Sequence, residues 1–230
     1  MIPLRDNAPT RHFPVVTVGL IVANVLVFFL YQSPDLEGTL NELAYHPCEV
    51  NDSCPVVGED WQVTAFTSMF MHGDILHLGG NMLFLWIFGN NVEDALGRVR
   101  YVLFYVLAGL AATGLQTWVT LETASDAAAR IPNLGASGAI SGVLGAYLLL
   151  LPHAKVLTAI FLGFVFFLRE VPAIFFLGIY FLFQLWQAGF QFQQPPEEGG
   201  VAVFAHVGGF VFGMATVFLF RKRKPLAPRY

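Results

Sequence analysis

Apolar residues in this chain come in long runs instead of alternating with polar ones. The runs lie at about 14–31, 69–89, 101–121, 137–151, 171–190 and 201–220, with polar stretches between them. About 20 apolar residues cross a bilayer as a helix. The pattern therefore predicts an all-α membrane protein with six transmembrane helices, spans one to six. Residues 1–13 are an inner lead, 14–220 the helical domain and 221–230 a basic tail. No small-residue cleavage site follows the first run, so it is read as an uncleaved span.

The connections differ in character. Residues 32–68 form a long outer loop, 90–100 a tight inner turn, 122–136 a polar outer loop and 191–200 a further outer loop. Residues 152–170 are too short for a comfortable span and are read as inner-surface or re-entrant. Span five, with Phe175, Phe176, Phe181 and Phe183, is read as lipid-facing bulk.

Span four is anomalous. Ser137 to Leu151 gives a helix of about 22 Å, against a hydrocarbon core of about 30 Å. Pro152, His153 and Lys155 pin its inner end at the surface, so Ser137 lies below the outer surface. The preceding Asn133-Leu134-Gly135-Ala136 must dip into the membrane zone. Irregular backbone there needs protein or a water-filled cavity around it, which predicts a wet depression above Ser137.

Composition supports a membrane chain: 56% of residues are hydrophobic and 12% charged, where soluble domains carry about 25% charge. With six spans and the N-terminus inside, eleven of the twelve basic residues fall on the inner side, Arg130 alone lying outside. This positive-inside split predicts a multi-pass protein of the cell membrane, plasma or inner. Both termini would be cytoplasmic and the site would open to the extracytoplasmic side. The basic residues form no stripe with interleaved aromatics, which speaks against nucleic-acid binding. Cys48 and Cys54 share the outer loop, where a disulfide, two free thiols or no role all remain open.

Polar residues inside spans are functional candidates by default. They are His72, His77 and Asn81 in span two, Ser137 and Ser141 in span four and His206 in span six. A serine needs a base to act as a nucleophile. His206 lies about five residues into span six, a depth of roughly 8 Å that matches Ser137. Gly138 and Gly142 in span four and Gly209 and Gly213 in span six would let the two backbones approach closely. His77 and Asn81, at i and i+4, share a helix face and can both donate to a developing oxyanion. So can the Ser137 N–H at a helix N-terminus. His72 and Gly135 border the same place. No acidic residue lies near His206 in the membrane, so a Ser–His dyad is expected, with no metal or other cofactor.

Other readings of the same residues are a packing serine, a core histidine, and a metal site at His72 and His77 with Asp74 or His46. A small transporter is also conceivable, though no paired short helices suggest inverted repeats.

Three elements together resemble the rhomboid family of intramembrane serine proteases, bacterial type. They are His72-x4-His77-x3-Asn81, Gly135-Ala136-Ser137-Gly138 and Ala205-His206-x2-Gly209-x3-Gly213, in that order. Gly89-Asn90-Asn91-Val92-Glu93 also resembles a structural turn of the family. The resemblance implies a six-helix core with a short, recessed fourth helix. It implies proteolysis of single-pass or other transmembrane substrates within the lipid bilayer, at no stated oligomeric state. Ser137 would be the nucleophile and His206 the base. His77, Asn81, the Ser137 N–H and nearby His72 would form the oxyanion site. Span five and the loop 191–200 would be gate and cap. An inactive relative that binds or escorts membrane proteins is the alternative.

This chain departs from the family pattern twice. Where many members carry an aromatic residue four positions after the nucleophile, it has Ser141, so His206 must be held by a hydrogen bond or another ring. The Trp-Arg pair of the outer loop appears only as Trp61-Gln62.

Overall fold

A computed structural model describes residues 1–56, 58–162, 165–193 and 201–228. The chain opens with a strand, β1 (Ile2–Asp6), and then enters α1 (Val15–Leu26), which continues as a π segment to Gln32. The long loop that follows is partly helical, with α2 (Leu36–Leu43) and α3 (Trp61–Thr67). Next, α4 (Ile75–Phe84), a π segment (Leu85–Gly89) and α5 (Asn90–Leu96) run end to end. Then come α6 (Arg98–Thr123), the short α7 (Asp126–Ala129) and α8 (Ser137–Leu150). A hairpin of β2 (Lys155–Leu162) and β3 (Val165–Pro172) leads to α9 (Ala173–Gln193) and α10 (Val203–Phe220).

Among the described residues, four helical stretches can cross a membrane by length and composition: 15–32, 98–123, 173–191 and 203–220. The other two expected spans are the broken stretch 75–96 and α8, which has 14 residues.

The all-helical expectation is corrected by a three-stranded antiparallel sheet in the order β1-β2-β3. Residues 155–172 are rich in β-branched and aromatic side chains, which favour strands, and carry charges at Lys155, Arg169 and Glu170. The inner lead supplies the missing edge: Ile2 pairs with Ala159 and Asp6 with Val156. Val156 and Thr158 are fully buried beneath the bundle.

The tight inner turn expected at 90–100 is also corrected, because helix continues to Leu96 and only Gly97, at φ +79°, turns the chain. The polar residues suggesting a turn serve neighbouring elements. Buried Glu93 accepts from the Val16 and Thr17 amides and the Thr17 hydroxyl, so it caps α1 from another helix. Asn91 donates to Asp6 at 2.8 Å.

The core forms around α8, whose residues Gly138–Tyr147 are all buried. A helix apolar on every side belongs inside a protein or membrane. On one flank α6 approaches: a Cβ at Gly138 would come within 2.6 Å of the Ala112 Cβ, and one at Gly142 within 2.5 Å of the Ala108 Cβ. On the other flank a Cβ at Gly209 would overlap the Gly138 carbonyl, and one at Gly213 the Gly142 carbonyl. Span five is not uniformly lipid-facing. Phe175 and Phe183 are exposed, but Phe176 is buried against Phe88 and Phe181 stacks on Phe210 at 4.4 Å.

In the outer loop Cys48 and Cys54 form a disulfide. Tyr45 and Asn133 exchange backbone hydrogen bonds of 3.2 and 2.7 Å, and the Tyr45 hydroxyl meets Thr117 at 2.8 Å. The loop thus holds the segment that dips ahead of Ser137.

Two outcomes follow. Gly209→Ala must push α10 off the α8 backbone, an overpacking cost of roughly 1–3 kcal/mol, and should lower the unfolding midpoint in detergent. Gly178→Ala, on α9 with no heavy atom near the new methyl, should leave it unchanged or raise it. The second outcome concerns Asp6, which accepts from Tyr147 and Asn91 and ties the sheet to α8 and α5. Burial pushes its pKa up to about 6, partly offset by the Tyr147 hydrogen bond. A carboxyl whose folded pKa exceeds its unfolded one favours folding most when protonated. Its contribution should fall as pH rises from about 4 to about 6 and stay level above. Unfolding midpoints across that window should differ in slope between the parent chain and Asp6→Asn, with the variant relatively more stable at the upper end.

Candidate active site

Ser137 is the first residue of α8, and no side chain caps this helix. Its Oγ lies 2.8 Å from Nε2 of His206, in the first turns of α10. The glycine contacts between α8 and α10 begin at the next residue, so backbone proximity sets this distance.

The other ring nitrogen of His206 is engaged too. Nδ1 lies 3.2 Å from Oε1 of Gln184 on α9. An amide oxygen only accepts, so the ring proton sits on Nδ1 and Nε2 is left to accept from Ser137. One turn earlier on α9, the Tyr180 hydroxyl meets Ser141 Oγ at 3.0 Å. Ser141 is therefore a buried partner of α9, and His206 is held by an amide where the family pattern offers a ring. Neither Gln184 nor Tyr180 was picked out from sequence. The available signal was the first glutamine of an otherwise apolar span, four residues after a tyrosine.

Span two contributes from the opposite side. Asp74 caps α4, accepting from the Leu76 and His77 amides at 2.8 Å. His77 then lies over Gly135. A Cβ there would sit 2.9 Å from His77 Nε2 and 3.6 Å from Ser137 Oγ. Gly135 has φ +117°, a conformation that favours glycine, and its N–H donates to Ser68 O at 2.8 Å. It forms the floor between imidazole and hydroxyl.

A cavity of about 610 Å³ opens above these groups. Its lining includes Ser137, His206, His77 and Asn81, together with Asn133 of the dipping segment and with Ala202, which sequence reasoning did not single out. Nδ2 of Asn81 and Nδ2 of Asn133 are buried donors without a hydrogen-bond partner among the described residues. His72 stands apart from the lining. It is fully buried behind His77, with ring centroids 5.1 Å apart, and Gln32 clamps its backbone through bonds of 3.0 and 3.1 Å. Among the described residues, no three His, Cys, Asp or Glu side chains gather to hold a metal ion. Of the two segments expected as gate and cap, α9 lies beside His206 through Gln184, and residues 194–200 of the loop lie outside the described residues.

A family model for the rhomboid domain matches residues 59–223. The chain is 34% identical over 144 residues to Rhomboid protein 1, mitochondrial, of Saccharomyces cerevisiae, covering 62% of this chain and 38% of the relative. It is 31% identical over 145 residues to the human presenilin-associated rhomboid-like protein, mitochondrial, covering 63% and 35%. It is 34% identical over 135 residues to Rhomboid protease GluP of Bacillus subtilis, covering 59% and 24%. The chain thus spans little more than a third of the length of the mitochondrial relatives. Their names overturn the cell-membrane address expected from the charge pattern. The physical reason is that a positive-inside split orients a chain in its membrane without naming which membrane that is.

Proposed function

The chain belongs to the rhomboid family, and from that premise we propose that it is a serine endopeptidase that cleaves the membrane-spanning or adjoining segments of other membrane proteins. The observation that carries this reading is the 2.8 Å contact between Ser137 Oγ and His206 Nε2 at the floor of an open cavity. In this reading 75–96 and α8 complete a six-helix bundle, and α8 is recessed because it is short. The mitochondrial names of the relatives carry the address to a mitochondrial membrane.

The chemistry follows from the atoms present. Ser137 Oγ attacks the scissile carbonyl carbon as its proton passes to His206 Nε2. The carbonyl oxygen becomes an oxyanion, met by Asn81 Nδ2, the His77 ring and the Ser137 N–H. Donors already in place cost no reorganisation when charge develops, and the unpartnered Asn81 amide supports that role. The leaving amine takes the proton from His206, and a Ser137 ester remains. Water entering through the cavity gives a proton to His206 and attacks the ester carbonyl; the C–Oγ bond then breaks, Ser137 Oγ takes the proton back from His206, and the acid leaves. His72 backs His77 from behind. Gln184 is a positioning residue: by accepting from Nδ1–H it keeps Nε2 free for the serine proton.

Ser137→Ala and His206→Ala should each abolish cleavage of a model single-span substrate while the protein remains inserted. Fluorophosphonate labelling should vanish in Ser137→Ala. Normal cleavage by that variant would overturn the assignment.

Gln184→Ala should lower kcat about tenfold with KM little changed, as for one buried hydrogen bond worth about 1.5 kcal/mol. Gln184→Glu should restore much of the rate and move the acidic limb of the pH–rate profile upward, because a carboxylate beside Nδ1 favours the charged imidazolium. A profile unchanged in both variants would show that Gln184 serves only packing.

A further inference from the structure

A second cavity, also of about 610 Å³, lies at the basic end of the molecule, remote from Ser137. The entry to α1, the end of α5, the start of α6 and the segment after α10 enclose it. Four cationic side chains line it, Arg98, Arg100, Lys222 and Arg223, against two carboxylates, Glu93 and Asp94.

Both carboxylates already have partners. Glu93 is buried and caps α1 with both oxygens. Asp94 holds Arg11 at 2.6 Å, and the Arg11 amide donates to it as well. The four cations are not matched in this way, for none makes an ion pair among the described residues. Arg100 gives one long bond to the Phe220 carbonyl and Arg223 one to His12, each of 3.4 Å. A guanidinium has five donors, so most of the donor capacity is unused. The start of α6 adds to the positive field, since Gly97 offers no side-chain cap.

The cavity also has an apolar rim. Phe13 is 66% exposed and Val99 75% exposed. Below the rim the outer surface of α6 stays apolar at Val102 and Leu103, both exposed. The cations thus stand where helices α1, α6 and α10 meet the membrane surface, above an apolar wall. A free phosphate would use the charges but not the wall. A phospholipid uses both, headgroup in the cavity and acyl chain along α6. Basic pockets between helices at the positively charged side of a membrane suit such headgroups.

We propose that this cavity binds the headgroup of an anionic phospholipid, with Arg98 and Arg223 as its principal phosphate contacts. The proposal does not rest on the protease reading, because its readout is lipid retention.

The full chain would be placed in nanodiscs of phosphatidylcholine with about one-fifth phosphatidylglycerol. Lipid retained after release would be counted by native mass spectrometry. Preferential retention of phosphatidylglycerol is expected. Arg98→Gln/Arg223→Gln should weaken it about twenty-five-fold, at about fivefold for each basic residue near the surface. Arg98→Lys/Arg223→Lys should keep most of it, which separates lost charge from lost folding. Arg5→Gln/Arg169→Gln, on the same face but outside the cavity, should retain lipid like the parent. Equal loss in that control would reduce the effect to general surface attraction and overturn the proposal. Displacement of the lipid by millimolar inorganic phosphate would overturn it too, in favour of a free-phosphate site.

Discussion

Two helices in backbone contact set the terms for the rest of this molecule. Gly209 and Gly213 of α10 lie on the carbonyls of Gly138 and Gly142 of α8, with no room for a methyl group. In a bilayer, helices gain little from the hydrophobic effect on meeting each other, and close packing of small residues takes its place. Here the repeat of four residues on both helices fixes register as well as distance. Ser137 immediately precedes the first contact on α8, and His206 stands three residues before Gly209 on α10. A hydrogen bond of 2.8 Å between their side chains follows from that register.

The same close approach explains why α8 can be short. It is enclosed by α6, α10, α9 and the 75–96 stretch, so its length need not match the bilayer. Its outer end meets the Asn133–Gly135 segment, which backbone bonds from Tyr45 and Ser68 hold in place. Irregular backbone at that level is satisfied by protein, as a membrane interior requires. What this scaffold leaves unsatisfied is informative. Asn81 and Asn133 line the cavity, and their amide nitrogens have no partners among the described residues. In a low-dielectric setting an unpaired donor is costly, so these groups are suited to an acceptor that arrives from outside.

Sequence alone made a good part of this legible. Long apolar runs identify helices by themselves, and the start of α8 at Ser137 was readable from the apolar run that opens there. Glycines four apart pointed to the α8–α10 contact. What escaped were features that depend on distant partners. The strand at Ile2–Asp6 is five residues long and has meaning only beside β2. The polar run after Gly89 looked like a turn because the α1 amides that use Glu93 are more than 70 positions away. Gln184 was hidden among phenylalanines, although an amide in the middle of an apolar span calls for a partner. The membrane address was misjudged for another reason: charge asymmetry carries direction only.

Gln184 also changes how the proposed dyad depends on the fold. Ser137 and His206 sit on helices locked together by their backbones, whereas Gln184 belongs to α9. That helix meets α10 through side chains, chiefly the Phe181–Phe210 stack and the Gln184–His206 bond itself. Side-chain contacts of this kind can be rearranged at less cost than interlocked glycines, because rotamers can adjust where a backbone overlap cannot. The position of the nucleophile relative to its base is therefore rigid, while the tautomer of the base is set by the more adjustable neighbour. A displacement of α9 would leave the 2.8 Å contact nearly intact yet remove the acceptor that keeps the proton on Nδ1. The two requirements for a serine nucleophile, proximity and the correct ring nitrogen, are thus supported by different parts of the structure.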